Sequence, residues 1–235
     1  MPIRVSDTLK KLLIAYIGIF VVSQVADRFM GANFTGWLAL IPTGVLQGRI
    51  WQLLTYSFLH ADVMHLVLNM LVLAFVGSDV EAVWGTRKFF VYYAYCTAMA
   101  GLFYLLLQVI FGSAGTMNLP MVGASGGIYG LLLAYGILFP DREMLFMMIF
   151  PMKARQFVWV LAGVEFLQAL FSGQGGLGAF AHLSGMGAGF LFLWMQAKGL
   201  SFGSKPKSAK KKGSSHLRLV KGNRDDGPPD PKTWH

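Results

Sequence analysis

The stretch PMVGASGGIYG, residues 120 to 130, contains Gly123-Ala124-Ser125-Gly126-Gly127, a formal match to the G-x-S-x-G pattern that presents a nucleophilic serine on a sharp turn. A serine hydroxyl becomes a useful nucleophile only beside a base, most often histidine. Three of the five histidines, His60, His65 and His182, lie in or beside strongly apolar runs, where polar side chains are costly and turn toward the protein interior. His182 lies in GAFAHLSGMGAGF, 57 positions beyond Ser125. Gly126, Gly127 and Gly130 follow the serine, and Gly185, Gly187 and Gly189 follow the histidine. If those small-residue faces pack together, the hydroxyl and the imidazole reach hydrogen-bond distance, about 3 Å. His65 and Asn69 in HADVMHLVLNM are four apart, so a helix carries both on one face; taken alone they read as interhelical hydrogen-bonding groups.

The order Ser125, Glu165, His182 also fits a hydrolase triad with its acid in the middle. The surroundings argue against that fold. A nucleophile elbow follows a β-strand in a soluble α/β sheet, whereas TMNLPMVGA contains Pro120 and Gly123 and leads into an apolar helix. The relevant piece is therefore Gly123-x-Ser125-Gly126, and Glu165 reads as a packing or loop-facing carboxylate.

The elements that must position these residues are set by composition. Hydrophobic residues make up 55% of the 235 and charged residues only 13%, against about 25% charged in soluble domains. The charged residues between Leu12 and Ala197 fall mostly in small groups that punctuate apolar runs at about 10–26, 63–83, 88–111, 124–139, 156–172 and 178–197. Each approaches the roughly 17–25 residues of a membrane helix. The first run lacks a good signal-peptide cleavage site at VSQVA and is read as a permanent helix. Lys and Arg cluster before the first run, between the second and third, between the fourth and fifth, and after the sixth, whereas loops 112–121 and 173–177 carry none. The positive-inside bias then predicts both termini in the cytoplasm, with Arg28 and Arg49 of the long first loop outvoted.

Residues 1–200 read as one membrane domain and 201–235 as a basic cytoplasmic tail. From Lys198 onward ten basic residues face three aspartates, so this end supplies +7 of the formal net charge of +9. Its Gly, Ser and Pro argue against a packed core and for a disordered segment that fixes topology and touches anionic lipid. No nucleic-acid partner is expected. Cys96, the only cysteine, excludes an intrachain disulfide and a cysteine zinc cluster; no metal or cofactor is expected.

The sequence resembles the rhomboid family of intramembrane serine proteases across residues 10 to 197. The motifs are His65-x-x-x-Asn69, then Gly77, Glu81 and Gly85 in GSDVEAVWG, Gly123-x-Ser125-Gly126, and Ala181-His182-x-x-Gly185-x-x-x-Gly189. RIWQLLTYSFLH is similar to the family's first-loop segment, although Gln52 follows Trp51 where many members have arginine. The resemblance implies an all-α, polytopic membrane protein built as a bundle of six transmembrane helices, in a bacterial inner membrane. It further implies a Ser125–His182 dyad with no acidic third member, so packing must orient the imidazole. Tyr129 matches the tyrosine that stacks on the catalytic histidine, and His65 and Asn69 match the oxyanion region, to which the free N–H groups at the start of the serine helix, including that of Ser125, add backbone donors and a favourable dipole. The implied partners are single-pass membrane proteins cut near their outer ends, after small residues. A serine helix of about 15 residues rises ~22 Å against a hydrocarbon core of ~30 Å. Ser125 would then lie below the outer surface, on the floor of a water-filled cavity. Two other readings are a catalytically inactive rhomboid-like chaperone or adaptor for membrane clients, which would be expected to lack the serine or the histidine, and a transporter, which would be expected to show an inverted repeat.

Overall fold

In the computed structural model, which describes residues 5–146, 149–172 and 176–200, regular structure is almost entirely helical. The α-helices in chain order are α1 (Asp7–Phe29), α2 (Phe34–Leu38), α3 (Pro42–Leu46), α4 (Gln52–Thr55), α5 (Val63–Trp84), α6 (Thr86–Phe111), α7 (Ser125–Leu138), α8 (Ala154–Phe171) and α9 (Gly176–Ala197). Each of the six apolar runs is a helix. Four of them, α1, α5, α6 and α9, are long and apolar enough to cross a membrane. The tail expected at 201–235 lies outside the described residues.

One element departs from an all-helical reading. Glu143–Phe146 and Phe150–Lys153 pair antiparallel between α7 and α8, with Glu143 opposite Lys153 and Phe146 opposite Phe150. The pairing lies between two charged groups, Asp141-Arg142-Glu143 and Lys153–Arg155, in an apolar stretch too short to cross a membrane. Arg142 there reaches back to Asp79 of α5.

The helices begin and end where local chemistry says they should. Ser6 caps α1 by accepting the Leu9 N–H at 3.0 Å, and Asp62 caps α5 by accepting the His65 N–H at 2.8 Å. Glu81, buried near the end of α5, accepts from Ser6 Oγ at 2.6 Å and Thr86 Oγ1 at 2.7 Å. One carboxylate therefore ties the start of α1 to the junction of α5 and α6, which is why an acidic residue is tolerated in that apolar run.

The interior carries polar groups among its apolar side chains, and the perimeter carries bare apolar surface. Tyr16, Tyr92, Phe89, Cys96 and Phe192 are buried, while Ile14, Val21, Phe75, Trp159 and Phe171 are exposed. In lipid such side chains gain nothing by turning inward, so helix association rests on close packing and hydrogen bonds. Tyr92 donates to the Gly130 carbonyl at 2.7 Å, Tyr56 to the Thr97 carbonyl at 2.9 Å, and the hydroxyls of Tyr16 and Tyr93 lie 2.8 Å apart. At Gly185 of α9, an added Cβ would collide with the Gly126 carbonyl of α7. That contact sets how near the two helices run.

The first loop has its own structure, organised by Gln52. Its side chain is fully buried, Oε1 accepts the Ile41 N–H at 3.1 Å, and Nε2 donates to the carbonyls of Gly36 at 3.1 Å and Trp37 at 3.3 Å. Arg49 Nη1 donates to the same Gly36 carbonyl at 3.3 Å. Gln52 is thus a neutral polar anchor for the loop.

Candidate active site

Ser125 is the first residue of α7, and its placement is decided by the segment before it. Leu40 and Met121 exchange two backbone hydrogen bonds, at 3.0 and 2.9 Å, and the Gly123 N–H donates to the Tyr56 carbonyl at 3.1 Å. The first loop thereby holds the chain that enters α7. Gly123 has φ +121°, and a Cβ there would lie 2.8 Å from the His65 ring. Only glycine combines that backbone with that approach.

With α7 started there and drawn against α9 at Gly126 and Gly185, Ser125 Oγ lies 2.7 Å from His182 Nε2. The imidazole is fixed on two further sides. Tyr129, one turn beyond Ser125, stacks on it with ring centroids 4.4 Å apart and planes 8° from parallel. On the far edge, His182 Nδ1 lies 3.1 Å from Glu165 Oε2 of α8, and the Tyr129 hydroxyl donates to Glu165 Oε1.

Glu165 overturns an expectation. It neither faces a loop nor packs generically: it is only 6% exposed and directed at the imidazole, so His182 is not oriented by packing alone. A signal was available in the sequence. Glu165 is the only acidic residue between Glu143 and Asp225, it falls inside an apolar run, and a carboxylate there needs a partner. What the sequence did not carry was which face of α8 meets α7 and α9.

The serine and histidine open onto a cavity of about 220 Å³ lined by Tyr56, His65, Met121, Val122, Ser125, Gly126, Gly178, Ala181 and His182. At ~30 Å³ per molecule it has room for several waters. His65 is in this lining. Asn69, one turn further along α5, is buried outside it, and its Nδ2 donates to the His65 carbonyl at 2.9 Å. α7 begins with no side-chain cap, so its first-turn N–H groups are left without intrahelical partners beside the cavity. Among the described residues no group of three or more His, Cys, Asp or Glu is placed to hold a metal ion.

The arrangement supplies a hydroxyl, a base in contact with it, backbone donors with a favourable helix dipole, and space for water. Those are the parts that acyl transfer needs.

A family model described as Rhomboid domain matches residues 47–199. The chain is 37% identical over 119 residues to Rhomboid-related protein 3 of Homo sapiens, covering 51% of this chain and 26% of that protein. It is 31% identical over 143 residues to Rhomboid protein 1, mitochondrial, of Saccharomyces cerevisiae, covering 60% and 40% respectively. With Rhomboid protease GluP of Bacillus subtilis it shares 35% identity over 88 residues, covering 37% and 16%. In all three the matched region spans less than half of the relative's length.

Proposed function

The chain belongs to the rhomboid family, and from that premise we propose that it is an intramembrane serine endopeptidase cutting single-pass membrane proteins within the bilayer, near their extracytoplasmic ends. The observation that carries the reading is the 2.7 Å contact of Ser125 Oγ with His182 Nε2 at the wall of a cavity large enough for water.

In this reading six helices, α1 and α5 to α9, cross the membrane of a bacterial inner membrane or its equivalent, with both termini in the cytoplasm. The 14 residues of α7 rise ~21 Å, less than a ~30 Å hydrocarbon core, so Ser125 sits below the outer surface and its cavity brings water to the scissile bond. Ser125 Oγ bonds to the substrate carbonyl carbon as its proton passes to His182 Nε2. The carbonyl oxygen becomes an oxyanion, held by the N–H of Ser125, by His65, and by Asn69 once the donor geometry tightens around substrate. The carbon–nitrogen bond then breaks as Nε2 returns the proton to the leaving amine, giving an acyl-enzyme. Water attacks the ester carbon as Nε2 takes its proton; the carbon–Oγ bond then breaks, the carboxyl product leaves, and Nε2 returns the proton to Ser125 Oγ. Tyr129 keeps the ring in the plane that reaches Oγ. The substrate helix enters from lipid and unwinds locally before its backbone is attacked.

The test is to incubate purified parent and Ser125→Ala proteins in detergent with a model single-pass substrate and analyse the fragments by mass spectrometry. Cleavage by the parent alone, near the substrate's outer boundary, is expected. Equal cleavage by Ser125→Ala would sink the reading.

A further inference from the structure

We propose that Glu165 is a positioning residue for His182, so that the site works as a Ser125–His182–Glu165 relay across α7, α9 and α8 rather than as a dyad. This rests on the protease reading above and adds a member to its machinery.

The geometry is specific. Nε2 of His182 faces Ser125 Oγ at 2.7 Å while Nδ1 faces Glu165 Oε2 at 3.1 Å, so the two ring nitrogens have separate partners. A carboxylate can only accept. It therefore holds the proton on Nδ1 and leaves Nε2 free to take the serine proton, the tautomer that a general base requires. The other carboxylate oxygen accepts the hydroxyl of Tyr129, whose ring stacks on His182. Tyr129 thus supports both ring and carboxylate, and neither oxygen of Glu165 is left without a donor.

The charge balance during reaction follows from the same contacts. When Ser125 gives its proton to Nε2, the ring becomes an imidazolium. Glu165 stays ionised beside it and stabilises that cation without taking a proton. A neutral residue would supply orientation alone. Burial matters too: Glu165 is 6% exposed, so the carboxylate side of the interaction is shielded from water, while His182 alone of the pair faces the cavity.

Every element packed around His182 bears on its protonation. α8 contributes the carboxylate. α5 contributes His65 on the opposite wall of the cavity, with Asp62 at its outer end, and a charged His65 would oppose a second cation. α7 contributes Tyr129, the first loop Tyr56, and α6 presents Tyr92, Cys96 and Tyr104 toward α7 and α9, none of them charged near neutral pH. Glu165 is the one anion in contact with the ring among the described residues.

Two measurements decide the proposal. First, kcat and KM are compared in detergent for the parent and Glu165→Gln, which keeps shape and an accepting oxygen but removes the charge. A relay predicts kcat lower by about tenfold or more, up to the ~10⁴-fold seen when a triad acid is neutralised. KM should stay within about twofold. A Glu165→Gln protein with the parent's kcat would overturn it. A fall in kcat that only tracks lost thermal stability and a raised KM would make Glu165 a structural strut, which also overturns it. Second, ¹⁵N-histidine NMR of Ser125→Ala protein reads the His182 tautomer without turnover. A proton on Nδ1 with a strongly downfield resonance is expected, and a proton on Nε2 overturns the proposal even if Glu165→Gln does not fold. The tautomer also tells the two readings apart: a parent that cleaves nothing counts against the protease, while the NMR result still judges Glu165.

Discussion

His60 sits just before α5, 3% exposed, its ring edge-on to Tyr16 at 5.9 Å and to His65 at 5.0 Å. Burial first, and the nearby His65 second, push its pKa down to about 4 from the ordinary 6.5. The folded protein therefore favours neutral His60 more than the unfolded chain does. Its contribution to stability is full above about pH 6.5 and is lost as pH falls from there toward 4. His60→Phe keeps a ring against Tyr16 and removes the titration, so the fall in Tm between those pH values should shrink in detergent melts; an unchanged slope would place the acid sensitivity elsewhere. Asn69 poses a different question, because its amide already donates to the His65 carbonyl. Asn69→Ala should lower turnover without abolishing it, by on the order of 2–4 kcal/mol or less in transition-state stabilisation, since the α7 backbone donors remain. If activity and Tm fell together, Asn69 would be acting as a strut of α5. Polarity and spacing in the sequence made His65, Asn69, Ser125 and His182 visible, and the family resemblance added Tyr129. Glu165 was visible as well, but its partner was not, because that depends on the rotation of α8.

Helix α9 offers an internal comparison of glycines in one small-residue run. At Gly185 a Cβ meets the Gly126 carbonyl, whereas at Gly187 nothing lies within 4 Å. Gly185→Ala should push α7 and α9 apart, lowering Tm and lengthening the Ser125–His182 contact enough to cost activity. Gly187→Ala should be neutral or gain up to ~1 kcal/mol from helix propensity. Melting curves and cleavage rates of the two variants check this, and equal effects would mean that the glycine contact does not set the helix distance. In the first loop, Gln52→Ala should leave the Ile41 N–H without its partner, at about 1–3 kcal/mol, while the Gly36 and Trp37 carbonyls lose one donor each and keep Arg49 and Trp51. Because that loop also holds Met121 and Gly123, activity should fall with Tm, as thermal melts alongside cleavage assays would record. The helices themselves were legible as apolar runs between charged groups. The loop was not, since hydrogen bonds between residues distant in sequence leave no periodic trace, and the two paired strands, four residues each, are too short to show an alternation.

At the scale of the whole chain, the Lys and Arg asymmetry predicts that a reporter fused after His235 is cytoplasmic and one inserted in loop 112–119 is extracytoplasmic. A tail found outside would invert the membrane and put the cavity on the other face. Truncation after Leu200 should leave proteolysis in detergent largely intact, because every motif lies upstream; a folded truncation unable to cut would assign the basic segment a role in catalysis.

Composition and charge spacing alone established a membrane protein, its apolar helices and the order of its polar motifs, because lipid rejects charge over a length the chain must declare residue by residue. Chemistry was a matter of distance. Ser125 and His182 meet only because Gly126 and Gly185 let α7 and α9 touch, and Glu165 joins them only because α8 is rotated toward both. Helix rotation and approach are set by side-chain packing between elements far apart in sequence, a property of the pairs and not of either helix alone.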